Sequence, residues 1–207
     1  MTNPDFTAIA LLVDRSGSMQ SIRGDAEGAI AAFIEAQRQV EGRCTIRLSD
    51  FDVEYRTVYP STPIDAAPAY VLRPRGSTAL LDGIGRLTVE FGDELSAMPE
   101  DERPGKVIVV VQTDGLENSS TEWTVEKINS LITEQREKYA WDYVYLGANQ
   151  DAIQVGAQMG FAAGSSITYS ASARGAVNVG AAAAAYVSRS RAGAPAGFSD
   201  AERSSAQ

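Results

Sequence analysis

The sequence contains no histidine, and Cys44 is its single cysteine among 207 residues. The absence of histidine excludes a Ser-His-Asp triad, a Cys-His pair and any zinc site with an imidazole ligand. A single cysteine cannot form an internal disulfide, and the apolar pattern around Cys44 predicts that it lies on a strand facing the core. A reducing compartment is compatible with this composition, so we expect a cytoplasmic protein.

Positive charge is also scarce, because Lys and Arg total 18 against 27 Asp and Glu, for a formal net charge of -9. A chain of this charge repels a phosphate backbone, so we expect no binding to nucleic acid. No stretch approaches the roughly 20 apolar residues of a membrane helix. The apolar run over residues 7–13 lacks a basic flank and ends in an aspartate, so it is predicted to be a buried strand and not a signal peptide.

Short apolar runs alternate with stretches of helical period along the chain. The predicted strands are residues 8–13, 44–51, 55–59, 106–112 and 142–146, and the predicted helices are residues 25–40, 78–98, 124–139, 151–159 and 173–188. Such alternation predicts βαβ units and a parallel sheet. The three residues between the second and third strands predict a hairpin, and therefore one antiparallel strand near an edge.

The expected architecture is a doubly wound α/β domain with about six strands, mainly parallel, and helices on both faces of the sheet. This domain is predicted to span residues 1–190. Residues 191–207 are mostly small or polar and have little to bury, so they are predicted to form a flexible tail.

A D-x-S-x-S pattern, formed by Asp14, Ser16 and Ser18, follows the first predicted strand directly. A backbone of period two lets these three side chains point to the same side. Gly17 within the pattern allows the backbone to turn tightly around the point where they meet. One carboxylate and two hydroxyls are therefore predicted to converge.

Two further segments carry the same chemistry. Asp114 follows the strand over residues 106–112 in the segment Thr-Asp-Gly, and Thr78 stands at the start of a predicted helix. Open α/β sheets bind ligands at the carboxyl edge of their strands, so we expect the three loops to meet there. Oxygen ligands of this kind suit a hard cation such as Mg²⁺, Mn²⁺ or Ca²⁺.

Together these segments resemble the von Willebrand factor A superfamily, in which three such motifs form a metal-ion-dependent adhesion site. The resemblance covers about residues 5–190 and implies a Rossmann-like fold in a single-domain member of prokaryotic or phage type. It also assigns the roles of the five residues. Ser16, Ser18 and Thr78 would be hydroxyl ligands of the metal, whereas Asp14 and Asp114 would act directly or through water.

The resemblance further implies that the cation keeps one position open, which an acidic side chain of a partner fills. Two carboxylates and three neutral hydroxyls neutralise at most a 2+ ion, so such an ion can accept another anionic oxygen. We therefore expect a cation-dependent protein-binding module for adhesion or assembly, with no catalysis. Its cofactor would be Mg²⁺, or else Mn²⁺ or Ca²⁺, and its protein partner would contribute an Asp or Glu carboxylate.

Two other functions stay open from the sequence. Aspartates at strand ends also serve Mg²⁺-dependent hydrolases and phosphatases, although Ser16 stands where a phosphoaspartyl enzyme would usually carry a second acid. No histidine is available as a general base, and the G-x-x-x-x-G-K-[ST] motif of an NTP-binding loop is absent. The other alternative is a structural subunit with a vestigial metal site, which measurement of divalent-ion binding would distinguish.

Residues that flank the motifs could form the rim of the site, although residues of these types are also ordinary in solvated loops. These residues are Arg15, Met19, Glu117, Asn118 and Ser119. Two other acids close to the motifs are not expected to bind metal. A turn role is predicted for Asp52 and a helix-dipole role for Asp82.

Overall fold

Six β-strands and six α-helices form the chain over residues 2–148 and 150–207, which are the residues that this computed structural model describes. The strands are β1 (Asn3–Asp14), β2 (Arg43–Phe51), β3 (Tyr55–Pro63), β4 (Pro104–Thr113), β5 (Asp142–Ala148) and β6 (Ser166–Tyr169). The helices are α1 (Arg23–Arg38), α2 (Leu80–Ser96), α3 (Val125–Tyr139), α4 (Ala152–Gln158), α5 (Ala173–Arg191) and α6 (Asp200–Ser205). None of the helices in these two ranges is both long enough and apolar enough to cross a membrane.

The strands form a single sheet in the order β3-β2-β1-β4-β5-β6. Every neighbouring pair is parallel except β2 and β3, which are antiparallel. This confirms the expected mostly parallel sheet with one antiparallel edge strand. The strand β1 lies between β2 and β4 at the centre of the sheet, where its apolar residues are covered on both faces.

Alternating side chains of β1 enter two separate layers of the core. Ile9, Leu11 and Val13 pack with residues of α1 and α5 on one face, whereas Ala10 and Leu12 pack with residues of α2, α3 and α4 on the other. Successive side chains of a strand point to opposite faces, so a strand that is apolar at every position requires helices on both sides. The doubly wound architecture follows from this pattern.

The C-terminal segment differs from the expectation of a flexible tail over residues 191–207. It contains α6, which begins with a capping box, and the ring of Phe198 lies 5.0 Å from that of Tyr186. The carbonyl of Ala206 accepts a hydrogen bond of 2.9 Å from the amide of Ser170. One buried aromatic residue and the backbone beyond the β6 edge therefore hold a segment whose composition alone offers little to bury.

The sixth strand was expected in number but not located from the sequence. It is β6, which has four residues and pairs in parallel with β5. A segment this short carries too few alternating positions to distinguish it from a loop. The first strand also begins earlier than its apolar run, at Asn3 instead of Ala8.

Candidate metal centre

The two strands at the centre of the sheet end side by side at its carboxyl edge. Val13 of β1 and Gln112 of β4 are paired in register, so Asp14 and Thr113 follow at the same level. The Thr113 hydroxyl donates a hydrogen bond of 2.6 Å to Oδ2 of Asp14, whose side chain is fully buried. Adjacent parallel strands thus place the first carboxylate of the site beside the loop that carries the second.

A chain of hydrogen bonds joins four of the five predicted site residues. The amide of Ser16 donates to Oδ1 of Asp14 at 2.7 Å, and the hydroxyls of Ser16 and Ser18 lie 3.0 Å apart. The Ser18 hydroxyl in turn donates to Oδ1 of Asp114 at 2.7 Å. The three side chains of the D-x-S-x-S pattern therefore point to one side and meet the second carboxylate there.

The fifth residue, Thr78, reaches the same place from the loop before α2. The Thr78 and Ser18 hydroxyls both border the space beside Gly115. A methyl group added to Gly115 would lie 3.2 Å from the Thr78 hydroxyl and 3.9 Å from the Ser18 hydroxyl. The Thr78 loop is also joined to the first motif, because the amide of Gly17 donates to the carbonyl of Gly76 at 3.1 Å. The structure thus brings all five predicted residues together at one edge of the sheet.

Burial shifts the titration of both carboxyl groups. It raises the pKa of Asp14 from 3.8 to about 6, against the lowering effect of the hydrogen bonds from Thr113 and Ser16. Burial also raises the pKa of Asp114, against the hydrogen bond from Ser18. Desolvation disfavours the charged form of both groups, and a bound cation would favour it.

The donor set fits a hard divalent cation. It consists of two carboxylates and three hydroxyls, and it includes neither nitrogen nor sulfur. Within residues 2–148 and 150–207, no group of three or more His, Cys, Asp or Glu side chains could hold a metal by itself. The hydroxyls of Ser16, Ser18 and Thr78 would therefore have to complete the coordination.

Arg15, at the second position of the D-x-S-x-S pattern, points into the protein and not to a rim. Its side chain is 7% exposed, with Nε 3.2 Å from Oδ1 of Asp50 and Nη2 3.2 Å from Oδ2 of Asp52. Oδ1 of Asp52 also accepts a hydrogen bond of 2.7 Å from the amide of Glu54, which is the predicted turn role. Arg15, in the loop after β1, thus holds that loop against the end of β2 through these two ion pairs.

Two more arginines, whose side chains are 44% and 54% exposed, extend this network towards the surface. Nε of Arg56 donates to Oδ1 of Asp50 at 2.9 Å, and Nε of Arg75 donates to Oδ2 of Asp52 at 2.6 Å. Both carboxylates are fully buried, and the guanidinium groups replace the water contacts that the carboxylates lose on burial. Asp50 was not predicted as a functional residue, because a single acid within a strand gives no indication of its partners.

The other proposed rim residues are also engaged within the protein. Met19 is fully buried in the core. The amide of Thr78 donates to Oδ1 of Asn118, and Oε1 of Glu117 accepts from the amide of Ser119. Leu116, whose side chain is 60% exposed next to Gly115, presents an apolar surface beside the site that the motifs did not indicate.

Three of the many solved structures that are similar to this chain serve as examples. A von Willebrand factor type A protein from Catenulispora acidiphila matches with a TM-score of 0.59 and 14% identity, over 87% of this chain and 42% of that one. Proximal thread matrix protein 1 from the mussel byssus, with a zinc-occupied MIDAS motif, matches with a TM-score of 0.55 and 15% identity, over 81% and 42%. The pilus adhesin SpaC from Lactobacillus rhamnosus GG matches with a TM-score of 0.66 and 13% identity, over 91% and 30%.

No protein-family model matches the sequence, and no curated protein matches it either. The chain spans less than half the length of the three proteins above. At 13% to 15% identity the likeness concerns the backbone, and it agrees with the strand order and the single antiparallel edge strand described here. The chain therefore has the von Willebrand factor type A fold.

Proposed function

We propose that this chain is a divalent-cation-dependent protein-binding module. The observation that carries the proposal is the convergence of five oxygen-bearing side chains from three loops at the carboxyl edge of the sheet. In this proposal the ion is held by Asp14, Ser16, Ser18, Thr78 and Asp114. The ion would be Mg²⁺, or else Mn²⁺ or Ca²⁺, because all the donors are oxygens.

The charge of the donor set indicates which chemical group of a partner the ion would bind. Asp14 and Asp114 together supply two negative charges, and the hydroxyls are neutral. A 2+ ion held by them is neutralised without excess negative charge, and it can still attract one more anionic oxygen. We propose that an Asp or Glu side chain of a protein partner provides this oxygen.

The similar structures support a binding role. One of them is a pilus adhesin, and another is a matrix protein whose MIDAS motif holds zinc. These properties belong to those proteins. Since the present chain shares their fold and places oxygen donors at the sheet edge, the same kind of role is proposed for it.

The arrangement of Glu117 favours binding over hydrolysis. A hydrolase on this sheet would need a general base close to the ion, and Glu117 is the acid that follows Asp114 most closely in sequence. Its Oε1 accepts from the amides of Ser119 and Ser120, and its Oε2 accepts from the amide of Leu81. A carboxylate with three amide donors has its oxygens directed at the backbone, so it is poorly placed to activate a water.

Calorimetric titration with Mg²⁺, Mn²⁺ and Zn²⁺ tests the metal site. We expect one ion per chain. Zn²⁺ should exceed Mg²⁺ and Mn²⁺ in affinity by less than the general order of divalent-metal affinities predicts, because all the donors are oxygens. Asp14→Ala should abolish binding in a protein that stays folded, whereas Asp101→Ala, which removes an exposed acid, should not change it. Absence of binding by the unaltered protein would identify a vestigial site.

Capture of partners with and without a chelator tests the binding role. A protein retained in Mg²⁺ and released by chelation is the expected result, and replacement of its Asp or Glu residues should then abolish retention. Retention that ignores chelation would contradict a role for the ion in recognition. Turnover of a phosphate ester that depends on Asp14 and Mg²⁺ would favour the hydrolase instead.

A further inference from the structure

The helix α2 begins without a capping residue of its own. Ala79 occupies the N-cap position and offers no side-chain hydrogen bond, although the first N–H groups of a helix lack partners within it. The acceptors come from the segment after Asp114. The amide of Leu81 donates to Oε2 of Glu117 at 2.9 Å, and the amide of Asp82 donates to Oγ of Ser120 at 3.1 Å.

The same segment holds Thr78 from both sides of its backbone. The amide of Thr78 donates to Oδ1 of Asn118 at 3.0 Å, and the carbonyl of Thr78 accepts from the amide of Asn118 at 3.1 Å. Thr78 is buried to all but 3% of its surface. Its position therefore depends on Asn118, which lies four residues after Asp114.

The helix holds the segment in return. The carboxylate of Asp82 accepts from the amides of Thr121, Glu122 and Trp123 at 2.9, 3.0 and 2.8 Å. The Trp123 indole lies directly on Gly85, where a Cβ would come within 2.3 Å of the ring. Hydrogen bonds in both directions and this packing make residues 115–123 and the first turns of α2 one mechanical unit.

From these contacts we infer that Asn118 is a positioning residue of the metal site, which holds the Thr78 hydroxyl at the place where it and Asp114 can reach the same ion. The inference rests on the proposed function. Without the amide oxygen of Asn118, the Thr78 amide loses its acceptor, and only the carbonyl side of Thr78 stays tied to the segment. The hydroxyl then leaves the site and a water takes its place, because a hard cation exchanges a neutral hydroxyl for water readily.

Counting the waters on bound Mn²⁺ by ¹⁷O relaxation tests this inference. Asn118→Ala should carry one water more than the unaltered protein and lose less than about tenfold in Mn²⁺ affinity, because water replaces the neutral hydroxyl on the ion. Thr78→Ala, which removes the hydroxyl and leaves room for a water, should show the same water count as Asn118→Ala. The double variant Asn118→Ala with Thr78→Ala should gain no further water, because both changes remove the same ligand.

Two control variants separate positioning from stability. Asn118→Asp keeps an oxygen for the Thr78 amide and should restore the normal water count. Asn129→Ala removes an Asn side chain that donates to the carbonyl of Gln158 away from the site, and it should leave the count unchanged. Without metal, hydrogen exchange at the Thr78 amide should be faster in Asn118→Ala and normal in both controls.

The outcomes distinguish the inference from the function on which it rests. A normal water count in Asn118→Ala, or water counts that add up in the double variant, would overturn the inference and leave the metal site in place. Failure of the unaltered protein to bind Mn²⁺ would overturn both. If Asn118→Ala does not fold, Asn118→Ser, whose side chain is too short to reach the Thr78 amide, has to give the extra water.

Discussion

The hydroxyl of Ser18 donates a 2.7 Å hydrogen bond to Oδ1 of Asp114, although the two residues stand 96 positions apart in the chain. Their loops follow β1 and β4, which are neighbours in the sheet and run parallel. The contact therefore depends on the pairing of two strands that are distant in sequence. It joins the two motifs through protein side chains alone.

Replacement of Asp14 by Asn should stabilise the metal-free protein above neutral pH. Burial raises the pKa of Asp14 from 3.8 to about 6. The folded state therefore favours the protonated acid, and the stability that this contributes is complete below the unfolded pKa and lost as the pH rises through about 6. The pKa difference corresponds to about 3 kcal/mol at most.

Chemical unfolding in a chelator, measured between about pH 4 and pH 7.5, tests this effect. The free energy of unfolding of Asp14→Asn, relative to that of the unaltered protein, should increase as the pH rises across this range. Other acids with raised pKa values, such as Asp142, are present in both proteins and cancel in the difference. A difference that does not change with pH would show that the buried Asp14 carboxylate is not destabilising.

Gly115→Ala should weaken Mn²⁺ binding about tenfold while the domain stays folded, in the range typical of changes around metal ligands. The added methyl would lie 3.2 Å from the Thr78 hydroxyl, within the space between the proposed ligands. Calorimetry provides the measurement. Gly28→Ala is the matched control, because a Cβ there meets nothing within 4 Å, and this change should leave Mn²⁺ affinity as it is.

Arg15→Met should lower the free energy of unfolding by about 3 kcal/mol, because it removes one partner of two buried carboxylates. Those carboxylates belong to Asp50 and Asp52, which keep Arg56 and Arg75 as partners. Urea unfolding at neutral pH gives the comparison. Arg86→Ala breaks an ion pair whose two side chains are 45% and 50% exposed, so it should cost less than about 1 kcal/mol. Equal effects of the two changes would mean that the Arg15 network contributes little.

Thr78→Ala should weaken the binding of an acidic partner more than it weakens the binding of the metal. The hydroxyl is neutral and water can replace it on the ion, so the metal loses little. The resemblance to the von Willebrand factor A superfamily implies that this threonine joins the metal directly when an acidic group of a partner is engaged. Mn²⁺ titrations with and without an acidic peptide from the partner separate the two affinities, and equal losses would contradict the idea.

The alternation of apolar runs with helical stretches was enough to predict the sheet type, the antiparallel edge strand and the placement of helices on both faces. Strand β4 shows why, because its residues from Val107 to Val111 are all apolar and all buried. Such a strand cannot lie at an exposed surface. The motif spacing likewise predicted that Asp14, Ser16 and Ser18 point to one side, since that relation is local.

Tertiary structure alone decided the relations between distant segments. Arg15 and Met19 resemble exposed loop residues in the sequence, but Arg15 pairs with Asp50 and Asp52 and Met19 enters the core. Residues 191–207 are mostly small or polar, and yet the buried Phe198 anchors them. Local sequence specifies backbone preference and the direction of side chains within one element, whereas the burial of a charge or of a polar segment depends on which partner the fold brings to it.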